Sequence, residues 1–217
     1  MNFNKQQWLK TVKHTIHSDG SISVQGDVDL YNKNLTKIPF KFRKVTGNFN
    51  CHYNQLTSLN GCPASVGGNF NCALNKLTSL NGCPSSVSGN FYCGNNQLTS
   101  LNGCPSSVGG DFSCSHNQLT SLNGCPSSVG RDFHCGNNQL TSLNGGPSSV
   151  GRDLHCPRNQ LTSLNGCPAS VSGRFDCYGN LKDFTEPDVE NAIRASRIKS
   201  SLSSQALNTF SDIIDEL

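Results

Sequence analysis

FNCHYNQLTSLNGCPASVGGN, residues 49–69, returns along the chain every 21 residues in the form F-x-C-x-x-N-x-L-T-S-L-N-G-C-P-S-S-V-x-G-x. The cysteine in its third place marks the ladder Cys51, Cys72, Cys93, Cys114, Cys135, Cys156 and Cys177, with Leu30 one period earlier. Asn54, Asn75, Asn96, Asn117, Asn138, Asn159 and Asn180 follow three residues behind. A fixed period in this range signals an array of stacked units, none of which buries its apolar groups alone.

Inward positions follow from the alternation of side chains along a strand. The valine column (Val24, Val45, Val66 and onward) and the phenylalanine column (Val28, Phe49, Phe70 through Leu154 and Phe175) point inward with the cysteines. Leu56 and Leu59, with their repeats, complete the wall. The twelve cysteines fall in columns of seven and five, the second being Cys62, Cys83, Cys104, Cys125 and Cys167. Leu30 replaces a cysteine in the first column and Gly146 in the second, so the columns do not pair as disulfides. A site that accepts leucine is an apolar core site, where a free thiol packs as a small hydrophobe. No C-x-x-C spacing points to zinc. Asn60-Gly61 followed by Pro63 marks a turn in each unit.

F-x-C-x-x-N-x-L resembles the L-x-L-x-x-N-x-L heart of leucine-rich repeats, with Phe and Cys in two leucine places. The L-T-S-L-N-G-C-P-S-S-V segment is similar to the short bacterial class, and the near-identical G-C-P units resemble repeat proteins of tailed phages and large viruses. The resemblance spans residues 24–180 and implies an α/β-type solenoid of about eight units. Short parallel strands would line a concave face, with turn or extended structure on the convex side. At about 4.8 Å per strand the body would be roughly 40 Å long. The asparagine column would hydrogen-bond the backbone of adjacent coils. Bacterial relatives carry a ubiquitin-ligase domain after the repeats. Only residues 181–217 follow here, so that activity is not carried over.

Residues 1–23 read as an N-terminal cap, a short helix with Trp8, Leu9 and Val12 on one side, then a hairpin in which Ile16 and Ile22 flank the turn dipeptide Asp19-Gly20. Residues 181–217 read as a C-terminal helical cap. Thr185-Glu186-Pro187-Asp188 is a helix start. A first helix runs through Ile193 and Ile198. A second carries Leu207, Phe210, Ile213, Ile214 and Leu217, and is a candidate dimerisation or docking element.

Three outward columns vary far more from unit to unit than the inner ones. They begin at Asp27, Asp29 and Tyr31 and continue at 21-residue steps. A uniform scaffold with a varied outer face suits recognition. Tyrosine is favoured at interfaces, so the expected partner contacts are Tyr31, His52, Tyr53, Tyr92, His116, His134, His155 and Tyr178. Asp132, His134, Asp153, His155 and Asp176 form a cluster whose imidazoles and carboxylates are of metal-ligating type, though a solvated stripe of ion pairs explains it as well. The rank from Thr57 to Thr162, each followed by Ser, resembles an ice-binding surface; the same residues equally serve turn backbone groups. Arg131, Arg152, Arg158, Arg174, Arg194, Arg197 and Lys199 gather toward the C-terminal half without aromatic interleaving, which argues against a nucleic-acid track.

The net charge of +3 and a charged fraction of 14% favour neither nucleic acid nor a membrane surface. The N-terminal stretch lacks the apolar core of a signal peptide. No nucleophile, base and orienting group form a set. The expectation is a non-enzymatic protein-binding module without a cofactor, in a reducing cytoplasm, of viral or bacterial origin. The competing expectation is a structural or virion-associated array.

Overall fold

The computed structural model describes residues 3–215, with side chains described through residue 203. Helix α1 (Lys5–Leu9) leads into an antiparallel hairpin of β1 (Lys13–Ile16) and β2 (Ile22–Gln25). Asp19 shapes its turn by accepting the N–H and hydroxyl of Ser21, and Gly20 takes a φ of 72°. Trp8 packs on Phe40 and Phe42 at centroid distances of 5.2 and 6.0 Å. The body that follows is a solenoid with 21-residue coils. Its last element, α2 (Glu186–Asp215), is one continuous helix and not the two read from the sequence. The side chains of the expected second helix lie outside the described residues.

Each regular coil contributes two strands of two residues. Phenylalanine strands run from Val28–Asp29 to Phe175–Asp176 and form an eight-stranded parallel sheet, so seven 21-residue steps separate its first strand from its last. Valine strands, Ser65–Val66 to Ser170–Val171, join β1, β2 and Phe42–Val45 in a second sheet of nine. Opposite the phenylalanine strands, where turn or extended structure was expected, the extended segments also pair into a sheet. The Ser-Val segments pair in register, Ser128 on Ser149 and Val129 on Val150, giving a two-sheet β-solenoid.

The core runs between the sheets. Phe49, Phe70, Phe91, Phe112 and Phe133 are buried and follow one another at centroid distances of 5.2–5.7 Å. The first cysteine column and the paired leucines are buried beside them. All twelve cysteines are free thiols, and burial pushes most of them up, Cys83 to about 12. Cys83 still donates its S–H to the Gly103 carbonyl at 3.0 Å.

Polar groups at the coil bends are satisfied by the asparagine column, as its position predicts. Asn75 Nδ2 donates to the carbonyls of Cys51 and Cys72, both at 3.1 Å, while its Oδ1 accepts the Leu56 N–H at 2.9 Å. Asn138 repeats the pattern with Cys114, Cys135 and Leu119. At the far end Val189, Ala192 and Ile193 of α2 pack on the core. The helix is tied down where Ser196 Oγ and Arg197 Nε donate to the carbonyls of Cys167 and Ala169, both at 2.8 Å. Thr185 and Asp188 form its start, Thr185 donating from N–H and Oγ1 to the Asp188 carboxylate.

Candidate functional site: the outer face of the phenylalanine sheet

Of the three outward columns, the one beginning at Asp27 is structural, which corrects its reading as part of a binding face. Each Asn or Asp in it accepts the backbone N–H of its equivalent in the next coil: Asn48 from Asn69 at 2.7 Å, Asn69 from Asn90 at 2.8 Å, Asn90 from Asp111 at 2.8 Å. A second ladder thus runs along the edge between the sheets. The signal was in the sequence, because seven of the eight places from Asp27 to Arg174 hold Asn or Asp.

The next two columns build a surface. Asp29 accepts the Tyr31 N–H at 3.0 Å and a proton of Asn50 Nδ2 at 3.1 Å. Asn50 Oδ1 in turn lies 2.6 Å from His52 Nδ1. These bonds hold the Tyr31 and His52 rings stacked at 4.4 Å with 28° between planes, and Tyr53 stands 6.1 Å from Tyr31. Desolvation lowers the His52 pKa against the opposing pull of Asp29, which favours the neutral ring. Tyr31, Tyr53 and Leu74 are 42%, 53% and 43% exposed, so the first coils carry an apolar, aromatic patch. Beside it lies an open groove lined by Asn32, Asn34, Tyr53, Gln55, Leu74 and Asn95.

Tyr53 and Leu74 also occupy left-handed backbone, with φ of 56° and 54°. The same place is left-handed in every other coil as well, where it holds Asn32, Asn95, His116, Asn137, Arg158 and Gly179; Asn, His and Gly tolerate this region best. A bulky side chain there is an outlier on steric grounds. Leu74 was not singled out from the sequence; the available clue was that it is the one aliphatic residue in its column.

The remaining expected contacts do not join this patch. Tyr92 is half-buried, its hydroxyl accepting from Asn90 Nδ2 at 2.6 Å and donating to Asp111 at 3.1 Å. Desolvation and the Asp111 charge raise its pKa. His116 is exposed and sits in the left-handed column, and Tyr178 is 58% exposed in the last coil. His134 and His155 stack at 4.7 Å with 2° between planes. His155 Nδ1 lies 3.4 Å from Asp176 and Nε2 lies 3.9 Å from Asp153. Desolvation, then the neighbouring His155, lowers the His134 pKa. Among the described residues no group of three or more His, Cys, Asp or Glu side chains is arranged to hold a metal ion. The arrangement is a stacked imidazole pair beside carboxylates, flanked by the ion pairs of Arg131 with Asp111 and Arg152 with Asp132.

The threonine rank is exposed, and the serines beside it serve the turn: Ser58, Ser79 and Ser100 each accept, at 3.1 Å, the N–H of the residue two places on. No helix among the described residues is long and apolar enough to cross a membrane.

Fold and surface together define the chain as a parallel β-solenoid with 21-residue coils, internally uniform and externally varied. No protein-family model, curated protein or solved structure matches it.

Proposed function

We propose that this chain is a non-enzymatic recognition module that binds a protein through the outer face of its phenylalanine sheet, centred on Tyr31, His52, Tyr53 and Leu74. The observation that carries the reading is the placement of exposed Tyr53 and Leu74 in left-handed backbone. Neither side chain serves the core, and each sets a bulky apolar group on the surface at a left-handed bend that every coil makes and that Asn fills in three others. The Tyr31–His52 stack adds a rigid aromatic surface already ordered by Asp29 and Asn50, which lowers the entropic cost of binding. The repeat pattern's likeness to leucine-rich repeats and to phage and viral arrays fits a module acting on a host protein. Twelve free thiols fit a reducing compartment.

Quantitative capture with the wild-type chain and with a Tyr31→Ala/His52→Ala variant tests this reading. A protein retained by the wild type and lost at least tenfold by the folded variant supports it. Equal retention by both removes the aromatic surface from recognition.

A further inference from the structure

Charge is unevenly spread along this chain. Residues 3–46 hold eight basic and three acidic residues, whereas the rest of the chain holds nine and eleven. Three of the basic residues converge. Lys5 on α1 and Lys33 and Lys37 on the first coil line one pocket of about 340 Å³, and no carboxylate lines it. The lysine salt bridges among the described residues are those of Lys41 with Asp19 and Lys182 with Asp188, so these three lack a counter-charge. Lys5 has only the Phe40 ring, whose centroid is 5.4 Å from its Nζ. Lys33 occupies the place that holds asparagine in the seven later coils. That amide serves the preceding coil, as Asn54 Nδ2 does in donating to the Leu30 carbonyl. The first coil has no such predecessor, so the place is released from scaffold work and a cation fills it. Lys33 also lines an adjoining pocket of about 760 Å³, which shares Phe3 and Asn34 with the first. Here Phe3 and Trp8 supply partly buried rings, and Gln7 and Asn32 are exposed. The side-chain amides of Gln7 and Asn32 and the indole N–H of Trp8 make no hydrogen bond among the described residues. The indole N–H is not sealed from solvent.

We infer that the joined pockets bind a nucleoside polyphosphate, its base against Phe3 and Trp8 and its phosphates on Lys5, Lys33 and Lys37. Each part of the site meets a part of that ligand. Aromatic faces stack on any base. Side-chain amides offer both a donor and an acceptor, as base edges do. Ammonium groups form charge-assisted bonds with phosphate oxygens. Three of them repel one another when the site is empty, so a ligand with several negative charges relieves the repulsion. Pockets of this size hold small ligands. A free nucleotide is favoured over a nucleic-acid strand because the basic excess ends with the cap. Beyond residue 46 acidic residues outnumber basic ones, which leaves no positive track for a longer phosphate backbone. The inference stands apart from the recognition surface, whose Tyr31 and His52 line neither pocket.

Trp8 is the single tryptophan of the chain, so its fluorescence reports a ligand in the pocket directly. The full chain is titrated with ATP, GTP, CTP and UTP, and in separate arms with the matching nucleosides, inorganic tripolyphosphate and a short single-stranded oligonucleotide. Calorimetry runs in parallel. At least one nucleoside triphosphate should bind saturably, with a Kd below about 1 mM. Its nucleoside and tripolyphosphate should each bind at least tenfold more weakly. Lys33→Gln/Lys37→Gln, two exposed positions, should weaken nucleotide binding at least tenfold with an unchanged melting temperature. Absence of saturable binding by all four nucleotides overturns the inference, as does equal binding by the folded lysine variant. Tripolyphosphate binding as tightly as the best nucleotide overturns the placement of a base on Phe3 and Trp8. An oligonucleotide that binds at least tenfold tighter than any mononucleotide overturns the free nucleotide in favour of a strand.

Discussion

Asp111 accepts the backbone N–H of Asp132 at 3.3 Å, the longest rung of the ladder that links successive coils along the sheet edge. Earlier rungs measure 2.7–2.8 Å. The difference coincides with the residue beside the rung. Gly47, Gly68, Gly89 and Gly110 flank the short rungs, and a Cβ at Gly110 would collide with Asn90 Oδ1. Arg131 has a Cβ in that place, and its guanidinium lies 3.5 Å from the Asp111 carboxylate. Where arginine stands, the acceptor is aspartate, which keeps the rung through charge at the expense of its length.

Gly110→Ala is accordingly expected to destabilise the solenoid by about 1–3 kcal/mol through forced displacement of Asn90. Chemical denaturation should show this as a lower midpoint with an unchanged slope. No change in midpoint would mean that the ladder adjusts freely.

The asparagine column, partly to fully buried, should be the most sensitive part of the scaffold. Asn96 Nδ2 donates to the Cys72 and Cys93 carbonyls at 3.1 Å, and Asn96 Oδ1 accepts the Leu77 N–H at 3.0 Å. Asn96→Ala leaves these groups unpaired at the junction of two coils. Each unsatisfied buried group costs about 1–3 kcal/mol, so a loss of roughly 3 kcal/mol or more is expected in denaturant titration.

Much of this was legible in the sequence because a repeat repeats its evidence. Leu30 in the cysteine column identified a core position, and the structure buries it completely. The asparagine column was readable for the same reason: one amide in one place in successive coils has one job. The valine sheet was not readable. Its strands are two residues long, too short for an alternation to show, and Ser-Ser-Val preceded by proline reads as a turn. The ladder from Asp27 was misread because a polar residue beside a strand looks solvated, and only the neighbouring coil supplies the N–H it accepts. The site divided in the same way. Tyr31, His52 and Tyr53 were visible as aromatics, whereas Leu74 needed the structure to show an apolar side chain exposed at the left-handed bend.

His134 gives the fold a defined response to acid. Its pKa lies below the ordinary 6.5 because it is desolvated and stacked on His155. The unfolded chain therefore binds this proton more readily than the native one. The contribution is fully present above about pH 6.5 and is lost as pH falls through the unfolded and then the native value. Wild-type melting temperature should drop more between pH 7.5 and pH 5 than that of His134→Gln. Parallel pH profiles for the two proteins would assign the acid response to other groups.

The central claim is that Tyr53 and Leu74 are held in strained backbone for the sake of a partner, and one paired measurement on Tyr53→Asn/Leu74→Asn addresses it. Asparagine suits a φ near 55° and occupies this column at Asn32, Asn95 and Asn137. The account predicts a variant more stable by about 0.5–1 kcal/mol per site that no longer retains the wild-type partner. A variant that is less stable, or that retains the partner as well as the wild type does, would contradict it.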